Sequence, residues 1–190
     1  MFARTPRLLL RPGWIEDAPA LARAIGDQGI VRNLTRAPWP YGPDDAQAFL
    51  ASRAGQSLPH CLIFTRTLGA PRLVGGCGLS ADADGAPELG YWIARAYWGL
   101  GFATEASRAL LQAARAAGIT GIGAMHFADN PASGNVLRKL GFRPTGRTGQ
   151  RHSVARGGMV DCQFFEEGEE ARMRPDSAFE LYDDAPPLAA

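Results

Sequence analysis

Residues 91–105 read YWIARAYWGLGFATE, and this stretch decides the fold of the chain. It begins as an apolar strand, passes through a loop that holds Gly99 and Gly101, and continues as the start of a long helix. Glycines at these positions let the backbone turn several N–H groups toward one point, where the positive end of the helix dipole also lies. Such a nest accommodates a diphosphate through backbone groups alone. An ordinary turn that uses glycines to begin a helix is the alternative interpretation.

Two better-known phosphate-binding loops are excluded by the residues that follow the glycines. A P-loop ends in Gly-Lys-Ser/Thr, whereas this loop continues as GFAT over residues 101–104. A dinucleotide-binding fingerprint needs a third glycine and an acidic residue ~20 positions further on. Here the third glycine is absent, and residues 119–121 read ITG.

Composition indicates one ordinary globular domain and excludes several classes of partner. The chain has 190 residues, of which 46% are hydrophobic, and a formal net charge of +1. This charge gives no electrostatic reason to expect nucleic acid or an anionic membrane as a partner. No apolar run approaches the ~18 residues of a membrane span, and the N-terminus does not resemble a signal peptide. We therefore expect a cytoplasmic protein.

The residue types that usually carry metal, redox or covalent chemistry are sparse. Cys61, Cys77 and Cys162 lie far apart in sequence and form no CxxC pair. Neither a zinc site nor a disulfide framework is predicted, and no metal is expected. Lys139 is the only lysine, so there is no Schiff-base lysine in a buried strand and no phosphate-loop lysine.

Apolar spacing and helix punctuation predict an α+β fold with a mixed sheet. A strand is expected at residues 7–11, followed by helices that begin near Ile15 and Pro43. Next come an antiparallel meander of three strands, a long helix, a strand, a helix capped by Asn130, and two last strands. The predicted ranges after the second helix are 60–67, 73–79 and 88–93 for the meander, 101–117 for the long helix, 119–127 for the strand and 131–140 for the capped helix. A folded domain over residues 1–166 and an acidic, partly disordered tail over 167–190 complete the prediction.

At the glycine loop the sequence resembles the GNAT acetyltransferases, specifically the RimJ/RimL-like branch that acetylates ribosomal-protein N-termini. The coenzyme A signature of that superfamily is Gln/Arg-x-x-Gly-x-Gly/Ala, and residues 98–103 read WGLGFA, with Trp98 in place of Gln or Arg. The segments TPRLLLRP at residues 5–12 and DNPASGNVLRKLGF at 129–142 are also similar to the branch. The resemblance covers residues 5–165. It implies a mostly antiparallel sheet flanked by helices, with a splayed strand pair at an acetyl-CoA site.

The resemblance also implies acetyl-CoA as co-substrate and suggests which residues contact it. The strand before the loop would pair its backbone with the pantetheine arm, and the loop would hold the diphosphate. Asn130 could touch the pantetheine amides while also capping its helix, and Asn135 is either a cofactor contact or a solvent-facing helix residue. The implied cofactor-binding residues are Tyr91, Trp92, Ile93, Trp98, Gly99, Leu100, Gly101, Phe102, Ala103, Thr104, Asn130 and Asn135.

One departure from the superfamily concerns the acid that protonates the leaving thiolate. Many members place a tyrosine four residues before the Gly-Phe pair, but that position is Leu137 here. In the branch that this chain resembles, a serine in an Asn-x-x-Ser segment is the usual substitute, which points to Ser133. A plain polar helix residue is the alternative interpretation of Ser133.

A base is also needed, because an amine with a pKa of ~8 to ~10 must lose a proton before it attacks. Glu88 is the best-placed carboxylate, since it opens the strand three residues before Tyr91. A solvent-facing strand glutamate is an equally open interpretation. His126 on the neighbouring strand is the alternative base, although a lone histidine on an apolar strand is more often packed in the core.

The function expected from these residues is acetyl transfer from acetyl-CoA to a primary amine, either a protein N-terminus or a small molecule, by direct attack in a ternary complex. The alternative is a non-catalytic sensor or partner-binding module with the same fold, which Leu137 and the uncertain base keep open. Another acyl donor such as succinyl-CoA is also open. The loop at residues 33–43, with Trp39 and Tyr41, is expected to form part of the acceptor wall. The protein is expected to be a monomer or homodimer.

Overall fold

The computed structural model describes residues 1–66 and 69–168, together with the backbone of residues 180–181. Its strands are β1 (Ala3–Arg4), β2 (Leu8–Arg11), β3 (His60–Thr65), β4 (Leu73–Ala81), β5 (Pro87–Ile93), β6 (Gly123–Phe127), β7 (Phe142–Ser153), β8 (Gly158–Glu167) and β9 (Glu180–Leu181). Its α-helices are α1 (Ala18–Ile25), α2 (Gln28–Val31), α3 (Pro43–Arg53), α4 (Phe102–Ala116) and α5 (Pro131–Lys139).

All described strands join one sheet, in the order β7-β8-β6-β5-β4-β3-β2-β1-β9. Every neighbouring pair is antiparallel except β5 and β6, which are parallel. Strands β3, β4 and β5 form the predicted meander. The mixed, mostly antiparallel sheet flanked by helices is therefore confirmed.

Strands β5 and β6 pair only where both begin. The register joins Glu88 to Gly123 and Leu89 to Ala124, and no further pair follows. Beyond this point β5 stays paired with β4 as far as Ile93, whereas β6 stays paired with β8. The two strands therefore part, and the predicted opening between them is confirmed.

Two apolar cores lie on opposite faces of the sheet. The first packs against α4 and α5, and the second packs against α1, α2 and α3. Alternation along β5 serves both, because Leu89 and Ile93 are buried in the first core while Trp92 packs against the second. Each face of the middle strands therefore packs against its own set of helices.

The well-punctuated helices form where they were predicted. In α4, Ala106, Leu110 and Ala114 recur every four residues and are all buried, as a core-facing stripe requires. In α5, the side chain of Asn130 accepts a hydrogen bond from the Ser133 N–H and caps the first turn.

Some predicted boundaries were wrong. The strand expected over residues 119–127 begins only at Gly123, because Gly118 and Gly121 have φ angles of 81° and 68°, in the left-handed region that an extended chain does not visit. The first predicted helix is split into a single 3₁₀ turn at Ile15–Asp17 and α1. The two-residue β1 and the four-residue α2 are too short to show a period in sequence.

The acidic tail falls mostly outside the described residues. Within it, the backbone of β9 pairs antiparallel with β1. The predicted strand over residues 60–67 ends at Thr65, and residues 67–68 also lie outside the described ranges. None of the helices in the described ranges is long and apolar enough to cross a membrane.

An ion pair joins β2 to the start of α1. The guanidinium of Arg11 donates from Nη1 and Nη2 to the two carboxylate oxygens of Asp17, both at 2.7 Å. The Trp14 N–H also donates to this carboxylate, at 2.8 Å. Burial alone would raise the pKa of Asp17, but the hydrogen bonds from Arg11 and Trp14 and the charge of Arg11 outweigh it, so the pKa is lowered. The ionised carboxylate is therefore part of the folded structure.

Candidate active site

The loop between β5 and α4 has the backbone conformation that only glycine adopts readily. Gly99 and Gly101 have φ angles of 78° and 80°. Gly101 is the N-cap of α4, and no side chain caps the helix there. The first hydrogen bond of the helix runs from the Glu105 N–H to the Gly101 carbonyl, at 3.1 Å. The N–H groups at residues 102–104 therefore lack acceptors within the helix.

The outer side of this loop is open. A Cβ atom built on Gly99 meets no heavy atom within 4 Å, and one built on Gly101 meets only Nη2 of Arg7, at 3.6 Å. Open space, free N–H groups and the positive end of a helix meet at one point. An anion such as a diphosphate fits this arrangement.

Arg7 anchors the glycine loop to the first turn of α4, and the sequence did not predict this contact. Its Nη1 donates to the Leu100 carbonyl at 2.9 Å, and its Nη2 lies 2.6 Å from Oε2 of Glu105. Thr5 donates from Oγ1 to the other carboxylate oxygen of Glu105, at 2.6 Å. The segment 5–7 therefore fixes both the loop and the first turn of α4. The only sequence signal for it was the similarity of TPRLLLRP to the family.

Trp98, which replaces the usual Gln or Arg of the signature, ties the loop back to the strand. Its Nε1–H donates to the Ile93 carbonyl at 2.6 Å. The guanidinium of Arg95 lies over the indole ring, 4.6 Å from its centroid. This residue thus closes the connection between the end of β5 and the glycine loop.

The free edge of β5 presents alternate peptide groups to the gap. The Ala94 N–H donates to the Val74 carbonyl of β4, at 2.8 Å. In a strand, the backbone N–H and C=O groups of alternate residues point to the same side. The N–H and C=O of Trp92, two residues before Ala94, therefore also face β4. The backbone N–H and C=O groups of Tyr91 and Ile93 face the gap. Of the three predicted backbone contacts, Trp92 therefore does not offer its N–H to a cofactor.

The side chain of Tyr91 links β5 to the start of α5. Its hydroxyl donates to the Ser133 carbonyl at 2.9 Å and lies 2.8 Å from Oγ of Ser133. Burial raises the pKa of Tyr91 to about 12, against the opposing effect of the Ser133 hydrogen bond, so the phenol is neutral at physiological pH. Leu137, one turn further along α5, is fully buried. Two hydroxyls therefore occur together near the gap, of which the sequence predicted only Ser133.

The two predicted asparagines differ in their surroundings. Asn130 is half-buried and caps the first turn of α5. Asn135 is exposed, and its Oδ1 accepts a hydrogen bond from Nη1 of Arg138, at 3.1 Å. Its exposure favours the interpretation of Asn135 as a solvent-facing helix residue.

Glu88 lies where β5 and β6 begin to part. It stands opposite Ser80 of β4, and 22% of its side chain is exposed. Nη2 of Arg151 lies 4.0 Å from Oε2 of Glu88. Burial raises the pKa of Glu88, and the nearby charge of Arg151 partly opposes that shift. Two residues further on, a Cβ atom built on Gly90 would meet nothing within 4 Å, so open space adjoins the carboxylate.

His126 is a packed core residue and not an accessible base. Its exposed fraction is 6%, and its ring lies 5.3 Å from that of Phe165. Nδ1 lies 2.8 Å from the Phe127 carbonyl, and Nε2 faces the backbone of Gly134 so closely that a Cβ atom there would approach it to 2.7 Å. Of the two candidate bases, only Glu88 adjoins open space.

The β7–β8 hairpin and the loop at residues 33–43 meet on the side of the sheet that carries Glu88. The Val154 N–H donates to the Thr35 carbonyl at 3.0 Å, and the Ser153 hydroxyl donates to the Leu34 carbonyl at 3.2 Å. Tyr41 is half-buried and packs against the second core. Trp39 is 41% exposed and remains a candidate.

The chain matches the acetyltransferase (GNAT) domain family over residues 7–143, and it belongs to that family. A relative from Bacillus licheniformis, the uncharacterized N-acetyltransferase p20, is 27% identical over 168 residues, which cover 85% of this chain and 92% of the relative. Members of this family transfer an acetyl group from acetyl-CoA. The protein is therefore an acetyl-CoA-dependent N-acetyltransferase.

Solved structures share the fold at low sequence identity. Mycobacterium smegmatis RimJ in complex with CoA-disulfide has a TM-score of 0.73 and 22% identity, covering 92% of this chain and 88% of that chain. The microcin C7 self-immunity acetyltransferase MccE, in complex with acetyl-CoA and AMP, has a TM-score of 0.70 and 18% identity, covering 85% of this chain and 92% of that chain. RimJ among these fold neighbours is consistent with the resemblance to the RimJ/RimL-like branch.

Among the described residues, no group of three or more His, Cys, Asp or Glu side chains is arranged to hold a metal ion. The residues present do fit acetyl-CoA. The glycine loop offers unpaired N–H groups to a diphosphate, and the free edge of β5 offers peptide groups to the pantetheine amides.

Proposed function

We propose that the protein transfers the acetyl group of acetyl-CoA to a primary amine by direct attack in a ternary complex, with Glu88 as the base. The observation that carries this proposal is the gap between β5 and β6. It begins at the half-buried carboxyl of Glu88 and opens toward the uncapped start of α4. A base and an anion site thus lie at two ends of one opening.

The donor lies along this gap. Its diphosphate accepts hydrogen bonds from the loop N–H groups at residues 99–104. Its pantetheine arm pairs with the backbone N–H and C=O groups of Tyr91 and with the N–H of Ile93, since the Ile93 carbonyl already accepts from Trp98. An N–H group on this free edge also stabilises the charge that develops on the thioester oxygen as the amine attacks. Because these donors belong to the backbone, they are fixed before the substrate arrives.

Glu88 accepts the proton of the attacking amine, directly or through one water. The amine is mostly protonated at neutral pH, since its ordinary pKa is ~8 at an N-terminus and ~10.4 on an alkyl chain. Burial raises the pKa of Glu88, which brings the carboxylate closer to the basicity that this transfer needs. The assignment rests on the position of Glu88 at the point where β5 and β6 part.

Ser133 donates a hydrogen bond to the departing sulfur, and in this state the Tyr91 hydroxyl, 2.8 Å away, donates to Ser133 Oγ, so that the serine proton is free for the sulfur. A thiol has a pKa near ~8.5, so the thiolate gains a proton readily at neutral pH and needs stabilisation more than a strong acid. A hydroxyl that donates a hydrogen bond supplies this. Leu137, which occupies the position of the usual tyrosine, has no group to contribute.

Two fold neighbours support a coenzyme A donor, since RimJ was solved with CoA-disulfide and MccE with acetyl-CoA. They leave the acceptor open between a protein N-terminus and a small amine. The choice between these acceptors depends on the cleft beside Glu88.

The test is turnover of acetyl-CoA with a panel of amines, read as released free thiol. Wild-type protein should acetylate at least one amine, and Glu88→Gln should lower kcat/KM by ~10²-fold or more. Glu16→Gln, which changes an exposed carboxylate outside the gap, is the matched control and should behave as wild type. A protein that binds acetyl-CoA yet acetylates no amine in the panel would favour the non-catalytic sensor.

A further inference from the structure

Two arginines from different parts of the chain flank Glu88, and a third lies near one of them. Arg36, from the loop at residues 33–43, donates from Nη2 to the Ser80 hydroxyl at 2.7 Å. Ser80 stands directly opposite Glu88 in the β4–β5 ladder. On the other side, Arg151 of β7 lies 4.0 Å from Glu88. The third is Arg53, at the end of α3, and the charge of Arg36 acts on it.

Arg151 is paired with the Glu88 carboxylate, whereas Arg36 and Arg53 are held by neutral acceptors. In the described part of the chain, Arg36 donates to the Ser80 hydroxyl and Arg53 to the side-chain oxygen of Gln56, and both acceptors are neutral. Nε of Arg53 is buried and has no hydrogen-bond partner among the described residues. The other nearby carboxylate, Asp82, accepts hydrogen bonds from the backbone of its own turn. Arg36 therefore adds a positive charge beside Glu88 beyond the one that Arg151 already supplies.

Aromatic rings lie against several of these guanidinium groups. The guanidinium of Arg151 lies over the Phe164 ring, 5.1 Å from its centroid, and that of Arg147 lies 5.5 Å from the same centroid. On the opposite side the guanidinium of Arg53 lies 5.2 Å from the centroid of Phe49. Stacked guanidinium groups lose less entropy when they bind a carboxylate or phosphate, because their planes are already oriented.

An ordinary alkylammonium is a poor match for this cleft, since it is attracted by Glu88 and repelled by Arg36 and Arg151. An amine that also carries an anionic group satisfies both charges. The amine then lies next to the Glu88 carboxylate, and the anion accepts hydrogen bonds from the guanidinium groups.

We infer that the acceptor cleft beside Glu88 selects amines that carry a carboxylate or phosphate close to the reacting nitrogen, and that Arg36 and Arg151 bind this anion. The inference rests on the proposed acetyl transfer at Glu88. The anion can belong to a small amine, such as a free amino acid or a phosphorylated amino alcohol. It can also be the side chain of an N-terminal Asp or Glu in a peptide.

Matched pairs of amines test this inference. Each pair has one skeleton with and without the anion: glycine and glycinamide, phosphoethanolamine and ethanolamine, and a short C-terminally amidated peptide that begins with Asp or with Asn. We expect kcat/KM to be at least ~10-fold higher for the anionic member, about the discrimination of one charge-assisted hydrogen bond. A preference in the first two pairs indicates a small-molecule acceptor, and a preference in the peptide pair indicates a polypeptide acceptor.

Substitution then connects the preference to the arginines. In Arg36→Gln and in Arg151→Gln the ratio between the two members of a pair should fall toward one. The ratio is the readout because it is insensitive to the amount of folded enzyme and to changes at Glu88 that affect both members equally. Arg23→Gln, on the exposed side of α1, should leave the ratio as in wild type.

Equal turnover of the two members of every pair by wild-type enzyme would overturn the anion site and leave the acetyl transfer standing. A preference that survives unchanged in both arginine variants would also overturn it. Absence of turnover with every amine, while acetyl-CoA still binds, would overturn the proposed function and this inference with it.

Discussion

Replacing Gly101 with alanine tests whether the glycine loop holds the diphosphate of acetyl-CoA. At φ 80° an alanine is strained by ~1–2 kcal/mol, and this cost weakens the fold whether or not the ligand is bound. The new Cβ also projects into open space, where it meets only Arg7 Nη2, at 3.6 Å. It therefore occupies the approach that a phosphate oxygen would take to the loop.

The expected loss of affinity follows from the N–H groups at residues 99–104. A hydrogen bond to a charged group contributes ~1.5–3 kcal/mol. Preventing one or two of them should weaken binding by roughly 2–4 kcal/mol, which is ~30- to ~1000-fold in Kd. Calorimetric titration of acetyl-CoA into the folded variant measures this, and thermal unfolding without ligand measures the cost of strain separately.

Gly118→Ala is the matched control. Gly118 has a φ angle of 81° just beyond the opposite end of α4, and a Cβ atom built there meets nothing within 4 Å. Both variants should lose similar stability, but only Gly101→Ala should lose affinity. If Gly101→Ala is destabilised as much as Gly118→Ala and yet binds acetyl-CoA within ~3-fold of wild type, the diphosphate does not lie on this loop.

Three further predictions concern the base, the leaving group and the ion pair at α1. Because burial raises the pKa of Glu88, the acid limb of the pH–kcat/KM profile should lie above the ordinary glutamate pKa of ~4.3, and Glu88→Gln should abolish that limb. Ser133→Ala should lower single-turnover rates by about 10-fold, or ~1.4 kcal/mol, with acetyl-CoA affinity retained, and Tyr91→Phe should give a smaller loss in the same assay. Asp17→Asn should cost roughly 2 kcal/mol of unfolding free energy at pH 7 in urea titrations, after allowance for the partial exposure of its pair with Arg11. The folded-state pKa of Asp17 lies below the unfolded value, so this stability is present above the unfolded pKa and is lost as pH falls through the folded pKa.

Each of these has an outcome that contradicts it. An acid limb that persists in Glu88→Gln assigns the titration to another group. An unchanged single-turnover rate in Ser133→Ala leaves Ser133 as a helix residue and the proton to water or to the acceptor. A stability difference between wild type and Asp17→Asn that is as large near pH 3 as at pH 7 means that the charge of Asp17 does not cause it.

Elements with local punctuation could be predicted from the sequence. Asn130, Pro131 and Gly141 mark the ends of α5 because capping, the proline ring and the left-handed glycine act within one or two turns. Gly118 and Gly121 show the limit of such reasoning. The apolar pattern near them suggested a longer β6, but their positive φ angles prevent an extended chain.

Of the candidate site, the sequence predicted the glycine loop, Glu88 and Ser133, largely through resemblance to a family. It did not reveal the partners that position them. Arg7 is 98 residues from Glu105, and Tyr91 is 42 residues from Ser133, so no local spacing links either pair. His126 was left open as a base, and only its packing against Gly134 and Phe165 removes it.

The sequence by itself determined the order of the longer strands and helices, the glycines that a left-handed loop requires, and the absence of the usual tyrosine at Leu137. These are properties of single residues and their near neighbours. Only the tertiary structure decided that β5 and β6 part after two residue pairs, which of their peptide groups face the gap, and that Arg36 and Arg151 lie around Glu88. The reason is physical: peptide orientation and the meeting of charges across a sheet depend on how distant segments pack, and packing is not encoded in any one segment.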